Sequence, residues 1–211
     1  MMKVGVISDT HGLLRQEVLE ILHSCDCILH AGDINNQGIL EELGRIAPVY
    51  VVRGNNDKEW AEHLPHDLTV HLESLKIFMV HNKKEIQNLP PDADIAIFGH
   101  SHKYFEQVID GQLWLNPGSC GKRRFGQEIS LAVLIIDGED DQVQKIVLCL
   151  DNDKAGLKAR ERLAGILTEK GYGDVFSLLP QRKDWNEDLQ AVRQELMAEV
   201  HSSLAAAILQ G

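Results

Sequence analysis

A chain of 211 residues with 44% hydrophobic content can build one domain around a real core, or one domain with an appendage. Its net charge of −11 excludes the basic footprint of a non-specific nucleic-acid binder, so any phosphate chemistry would need positive charge supplied locally. The longest aliphatic run, LAVLII, is far short of the roughly 20 apolar residues of a membrane span, and Met-Met-Lys leads straight into VGVI without a signal-peptide pattern, so a cytoplasmic protein without membrane contact is expected.

The first predicted strand, KVGVIS, ends at Asp9. LLRQEVLEILHS then spaces its apolar residues for a helix, and CILHA forms a second strand ending at Gly32 and Asp33. QGILEELGRIA reads as a helix, and VYVVR as a strand ending at Gly54 and Asn55. DLTVHLESLKIFMV reads as a hairpin whose second strand ends at His81. IAIF leads into Gly99 and His100, and LWL into Asn116-Pro117-Gly118. ISLAVLIIDGEDDQVQKIVLCL reads as a further hairpin. Strand–helix–strand alternation followed by hairpins argues a layered α/β (α+β) fold. Of the four cysteines, Cys25, Cys27, Cys120 and Cys149, the first two lie in the apolar run CDCILH with no second close pair, so they are read as small buried hydrophobes in a reducing compartment.

Beyond residue 150 the character changes. DKAGLKARERLAGILTEKG and DWNEDLQAVRQELMAEVHSSLAAAILQ are amphipathic helical stretches, joined by YGDVFSLLPQRK with one more short apolar run. The expected division is a main domain over residues 1–150 and a mainly helical extension over 151–211.

Five of the apolar runs end on residue types that bind divalent metal: Asp9 with His11, Asp33, Asn55, His81, and His100 with His102. Ligand sites in open α/β sheets form at the carboxyl ends of strands, so residues spread over more than ninety positions can converge on one edge. Taken singly, each is more readily a helix cap, a turn residue or a hydrogen-bonded histidine; it is the repetition that points to a site. Mixed oxygen and imidazole donors suit Mn²⁺, Ni²⁺, Fe²⁺ or Zn²⁺ rather than Ca²⁺. Two such ions bridged by one carboxylate, with Asp33 the candidate, would leave the site at about +2 and so supply the missing positive charge.

The blocks DTHG, GD, GNND, His81, GHSH and NPGS, all in order between residues 2 and 150, resemble the calcineurin-like metallophosphoesterases, and most closely their small phosphodiesterase subgroup of bacteria and archaea. The resemblance implies a β-sandwich flanked by helices. It implies one metal, Mn²⁺ or Ni²⁺ before Fe²⁺ or Zn²⁺, on Asp9, His11, Asp33 and His102, and a second on Asp33, Asn55, His81 and His100. The implied reaction is hydrolysis of a small phosphodiester by a hydroxide bridging the metals. A phosphomonoesterase and a non-catalytic protein-binding scaffold, the role of the retromer subunit with this fold, are the alternatives.

Two positions depart from the family. Asn56 stands where most members have a histidine serving the transition state or the leaving group, and an amide donates a hydrogen bond but has no proton to give near neutral pH. Asn82 stands where glycine is usual, and asparagine tolerates left-handed backbone next best. Asn56 and Asp57 are the candidate catalytic positions, with Asp57 read as a turn or supporting residue rather than a ligand. The resemblance puts Asn116 and Ser119 in a loop beside the site, in a structural role or in contact with it. Lys122, Arg123 and Arg124 are read as a solvated basic turn, and His23, His30, His63, His66, His71 and His201 as structural or exposed.

CLDNDKAGLKARERL and LPQRKDWNEDL resemble the second half of a Toprim domain, in which Asp151 and Asp153 would hold Mg²⁺. The strand carrying that module's catalytic glutamate is missing, so an accessory or remnant tail is expected. Nucleic acid is expected only through this tail, if at all, and the oligomeric state stays open between monomer and homo-oligomer.

Overall fold

The computed structural model describes residues 2–86, 89–123, 128–137, 142–149 and 176–178. Its elements in chain order are β1 (Met2–Ile7), α1 (Gln16–Leu22), β2 (Cys27–His30), α2 (Gln37–Gly44), β3 (Val49–Val51), β4 (Asp67–Leu72), β5 (Leu75–Val80), β6 (Ile95–Ile97), β7 (Phe105–Ile109), β8 (Gln112–Asn116), β9 (Ala132–Asp137), β10 (Gln142–Cys149) and β11 (Phe176–Leu178).

Two sheets form. One runs β11-β10-β9-β1-β2-β3, with β1, β2 and β3 parallel and β9 antiparallel to β1. The other runs β4-β5-β6-β8-β7, with β5, β6 and β8 parallel between two antiparallel edges. They pack face to face: Val4, Val6, Cys27 and Leu29 share one buried cluster with Val70, Ile77, Met79, Ile95, Ile97 and Leu115. Because side chains alternate along a strand, Ile28 and Ile7 face the other way, into a second cluster with Val18 and Leu22 of α1 and Ile39 and Leu43 of α2. This is the expected sandwich with helices on one outer face.

The parallel strands of each sheet bring several chain ends to one edge. β1, β2 and β3 stop beside Asp9, Asp33 and Asn55, and β5 and β6 stop beside His81 and His100. All the strands read in sequence form, together with β7, which was not expected. Helix α1 starts at Gln16 rather than near Leu13, and its N-cap is Arg15, so Asp9 caps nothing. The delay has a cause: residues 9–12 are drawn off the helical path by backbone hydrogen bonds from His11 to Asp33 and from Gly12 to Ile34. The short apolar run in the C-terminal extension becomes β11, parallel to β10. Asp151 and Asp153, and the two helical stretches of the extension, lie outside the described residues.

Candidate metal centre

Five of the seven proposed ligands adopt left-handed backbone: Asp9 (φ 55°), His11 (47°), Asp33 (57°), His100 (68°) and His102 (57°). Each costs a non-glycine residue about 1 kcal/mol or more, and such strain collects where geometry serves function. Close backbone approach makes the bends fit. A Cβ on Gly54 would strike the Asp33 backbone and carboxylate, and one on Gly99 would strike the Ser8 hydroxyl and approach Asp9. Glycine at these two places lets the loops after β2, β3, β1 and β6 close on one another.

The ligands gather in two sets. In the first, one donor atom each from Asp9, His11, Asp33 and His102 lie within 4.8 Å of one another, all four residues buried. His102 Nε2 is 3.2 Å from Asp9 Oδ1 and 3.2 Å from His11 Nε2, and His11 Nε2 is 3.8 Å from Asp33 Oδ2. In the second, His81 Nε2 is 3.4 Å from Asp33 Oδ1 and 3.1 Å from Asn55 Oδ1, which is itself 2.9 Å from His100 Nδ1. Asp33 thus turns Oδ2 toward one set and Oδ1 toward the other.

A cation fits this donor arrangement. His81 Nδ1 donates to the Ala31 carbonyl, so the neutral ring aims its Nε2 lone pair at two oxygens that also only accept. Asp9 Oδ1 is buried and accepts no hydrogen bond among the described residues, whereas Oδ2 accepts from Ser8 Oγ at 2.6 Å and the His100 amide at 3.1 Å. Acceptors converging on acceptors need positive charge between them. The same oxygens act on His81 itself. Burial opposes its protonation, but the hydrogen bond and charge of Asp33, with Asp9 behind, outweigh burial and raise its pKa. Burial would raise Asp33, yet His81 and the donations from Asn56 hold its carboxyl below the usual range.

The other candidates sort by what they touch. Asn56 clamps Asp33, its amide N–H 2.8 Å from Oδ1 and its side-chain Nδ2 2.6 Å from Oδ2. Asp57 accepts from the Asn35 amide at 2.6 Å and the Gly54 amide at 2.8 Å, so its carboxylate ties the β2 and β3 loops together. Asn116 is fully buried and donates to Gly99 O at 2.7 Å, and Ser119 Oγ donates to Asp9 O at 3.0 Å. Asn82 has φ −110° and caps the turn Lys83–Glu85, so no left-handed backbone is needed there, contrary to the reading that asparagine substitutes for glycine's freedom. Lys122 and Arg123 are exposed, and Arg124 lies outside the described residues.

Two supports were not singled out from sequence. Ser8 holds Asp9, as above. His30 is fully buried, takes the Gly32 amide on Nδ1 at 3.2 Å, and therefore donates from Nε2 to Thr10 Oγ1 at 3.0 Å. Burial pushes its pKa down to about 4, so it is neutral near pH 7. Strand-end position was the one signal available for either, and it does not reveal the partner.

Residues 2–139 match the calcineurin-like phosphoesterase superfamily domain. The chain belongs to this superfamily. Its members use divalent metals, and the donor cluster lies where this fold brings strand ends together. A probable metallophosphoesterase of Methanothermobacter thermautotrophicus is 34% identical over 152 residues, covering 65% of this chain and 88% of that protein. A phosphodiesterase of Methanocaldococcus jannaschii is 27% identical over 168 residues, covering 70% and 99%. Among solved structures, wild-type Vps29 of Entamoeba histolytica complexed with zinc is similar at a TM-score of 0.55 and 26% identity, over 67% of this chain and 88% of that one. Residues 130–189 match a Toprim-like model, which overlaps the phosphoesterase match along β9.

Proposed function

We propose that this phosphoesterase is a binuclear metal-dependent phosphodiesterase acting on small diesters. One observation carries the reading: two sets of oxygen and nitrogen donors share Asp33, which turns one carboxylate oxygen to each. Asp9, His11, Asp33 and His102 would hold one divalent ion, Mn²⁺ or Ni²⁺ for this donor chemistry, and Asp33, Asn55, His81 and His100 the other. When bound, such ions lower the pKa of water and neutralise phosphoryl oxygens. The chain's own groups do the positioning. Ser8 and the His100 amide fix Asp9, the Ala31 carbonyl fixes the His81 tautomer, and Asn56 fixes Asp33 from two sides. Asn56 also defines what is missing. An amide beside the bridging carboxylate cannot protonate a departing oxygen, which favours diesters whose leaving groups are stable as anions.

The test is turnover of an aryl diester, bis(4-nitrophenyl) phosphate, against 4-nitrophenyl phosphate, in stripped protein and after adding Mn²⁺ or Ni²⁺. The expected result is no activity when stripped and a preference for the diester when loaded. Full turnover in protein proved metal-free by elemental analysis would sink the mechanism. A preference for the monoester would replace the diesterase by its phosphomonoesterase relative.

A further inference from the structure

Beyond His100 the loops leaving β5 and β6 line an open cavity of about 600 Å³. Its apolar wall is Phe98, Tyr104 and Phe105, and its lysines are Lys83, Lys84 and Lys103. The Lys83 ammonium lies over an aromatic cluster, 4.3 Å from the Phe105 ring centre, 5.0 Å from Trp114 and 5.5 Å from Phe98. Ring quadrupoles attract a cation but do not neutralise it. Among the described residues, none of the three ammonium groups pairs with a carboxylate, although the chain as a whole carries −11. Uncompensated positive charge is therefore concentrated at one cavity of an acidic protein. His100 belongs both to the cavity lining and to the second donor set, so the cavity opens beside the candidate metal centre.

We infer that this cavity receives one ester arm of the substrate, and that this arm is an aromatic group bearing a negative charge. The inference rests on the diesterase reading above and adds the substrate class. Each half of the cavity excludes a simpler arm. A neutral aryl group would cover the rings while desolvating the lysines without pairing them, and a small aliphatic anion would pair them and leave the partly exposed Tyr104 and Phe105 rings to water. A planar anion satisfies both, stacking on the wall while its charged end meets the ammonium groups. A long polyanion is opposed by the net charge of the chain.

The test compares 4-nitrophenyl 4-carboxyphenyl phosphate with 4-nitrophenyl 4-carbamoylphenyl phosphate on the metal-loaded full-length chain. The same nitrophenolate departs from both, so a difference in KM reports the retained arm. The carboxylate should lower KM about tenfold, as expected for several partly solvated charge contacts. In the variant K83Q/K84Q/K103Q the KM ratio should fall to about one. Calorimetry with 4-carboxyphenylphosphonate and 4-carbamoylphenylphosphonate, neither of which has an ester to cleave, should show the same preference and the same loss. A ratio of one in the native protein overturns the inference. So does a ratio that survives in the triple variant, because the preference would then come from the metal centre. If neither diester turns over, the diesterase reading fails by itself, and the phosphonate titrations still decide what the cavity binds.

Discussion

Asp33 turns one carboxylate oxygen to each donor set, and if it bridges two ions as proposed, removing it should differ in kind from removing a ligand of one set. Asp33→Ala should reduce bound metal from about two ions per chain toward none, because it takes a donor from both sets, whereas His81→Ala should leave about one, because the full Asp9, His11, Asp33 and His102 set persists. Elemental analysis of both variants checks this, and equal stoichiometry would show that Asp33 does not bridge. Asn56 sets a second expectation. General acid catalysis contributes ~10²–10⁴-fold, mostly for poor leaving groups, so the native enzyme should lose rate steeply as leaving-group pKa rises. Asn56→His should flatten that dependence, with its gain concentrated on alkyl-like leaving groups. The measurement is a diester series run on both proteins at verified metal content. A shallow slope in the native enzyme would mean that another group already supplies the proton. The proposed ligands stood out in the sequence because each follows an apolar run directly or within four residues. Ser8 and His30 were not legible as supports, because their roles lie in partners that only folding brings near.

At the scale of elements, β2 illustrates how a strand end is tied down. Its last residue, His30, joins the loop after β1 through Thr10 to the bend at Gly32 just before Asp33. A buried histidine with a pKa pushed down to about 4 from 6.5 resists protonation in the fold but not in the unfolded chain. The stability it contributes is therefore fully present above pH 6.5 and is lost as pH falls toward 4. The whole effect is about 3 kcal/mol, at about 1.4 kcal/mol per pKa unit. In metal-stripped protein, urea unfolding between pH 7 and pH 4 should show a loss larger by about this amount in the native chain than in His30→Gln. Parallel curves would mean that His30 is not protonated on unfolding as its burial requires. The parallel strands were readable because both their faces are covered, leaving short continuous apolar runs. The strand β7 was not, because Phe105–Ile109 lies at a sheet edge and mixes Glu106 and Gln107 with its apolar residues. The start of α1 was misplaced for a related reason: Leu13 and Leu14 fit the helical period, but the left-handed bends at Asp9, His11 and Gly12 hold the chain elsewhere.

At the scale of the whole molecule, every proposed ligand lies between residues 9 and 102, and Asn116 and Ser119 brace the site from the following loop. The phosphoesterase match ends at residue 139 and the Toprim-like match continues to 189, which supports the proposal that the extension is an addition to a unit already containing its chemistry. A chain ending near Leu150 should therefore keep both metal ions and its diesterase turnover. It should not be equally well behaved. In the full chain β11 pairs with β10 along Val147, Leu148 and Cys149, so truncation removes the outer partner of the last three residues of that strand and frees their N–H and C=O groups. A newly freed strand edge is a template for pairing with another chain, and lower solubility with concentration-dependent association should follow. Metal content, turnover and light scattering of the truncated protein, read together, separate the two effects. Aggregation with normal specific activity in the monomer fraction is the expected outcome. A soluble, folded, metal-loaded truncation without turnover would show instead that residues beyond 150 help to form the site, and the division of the chain near that point would have to be redrawn.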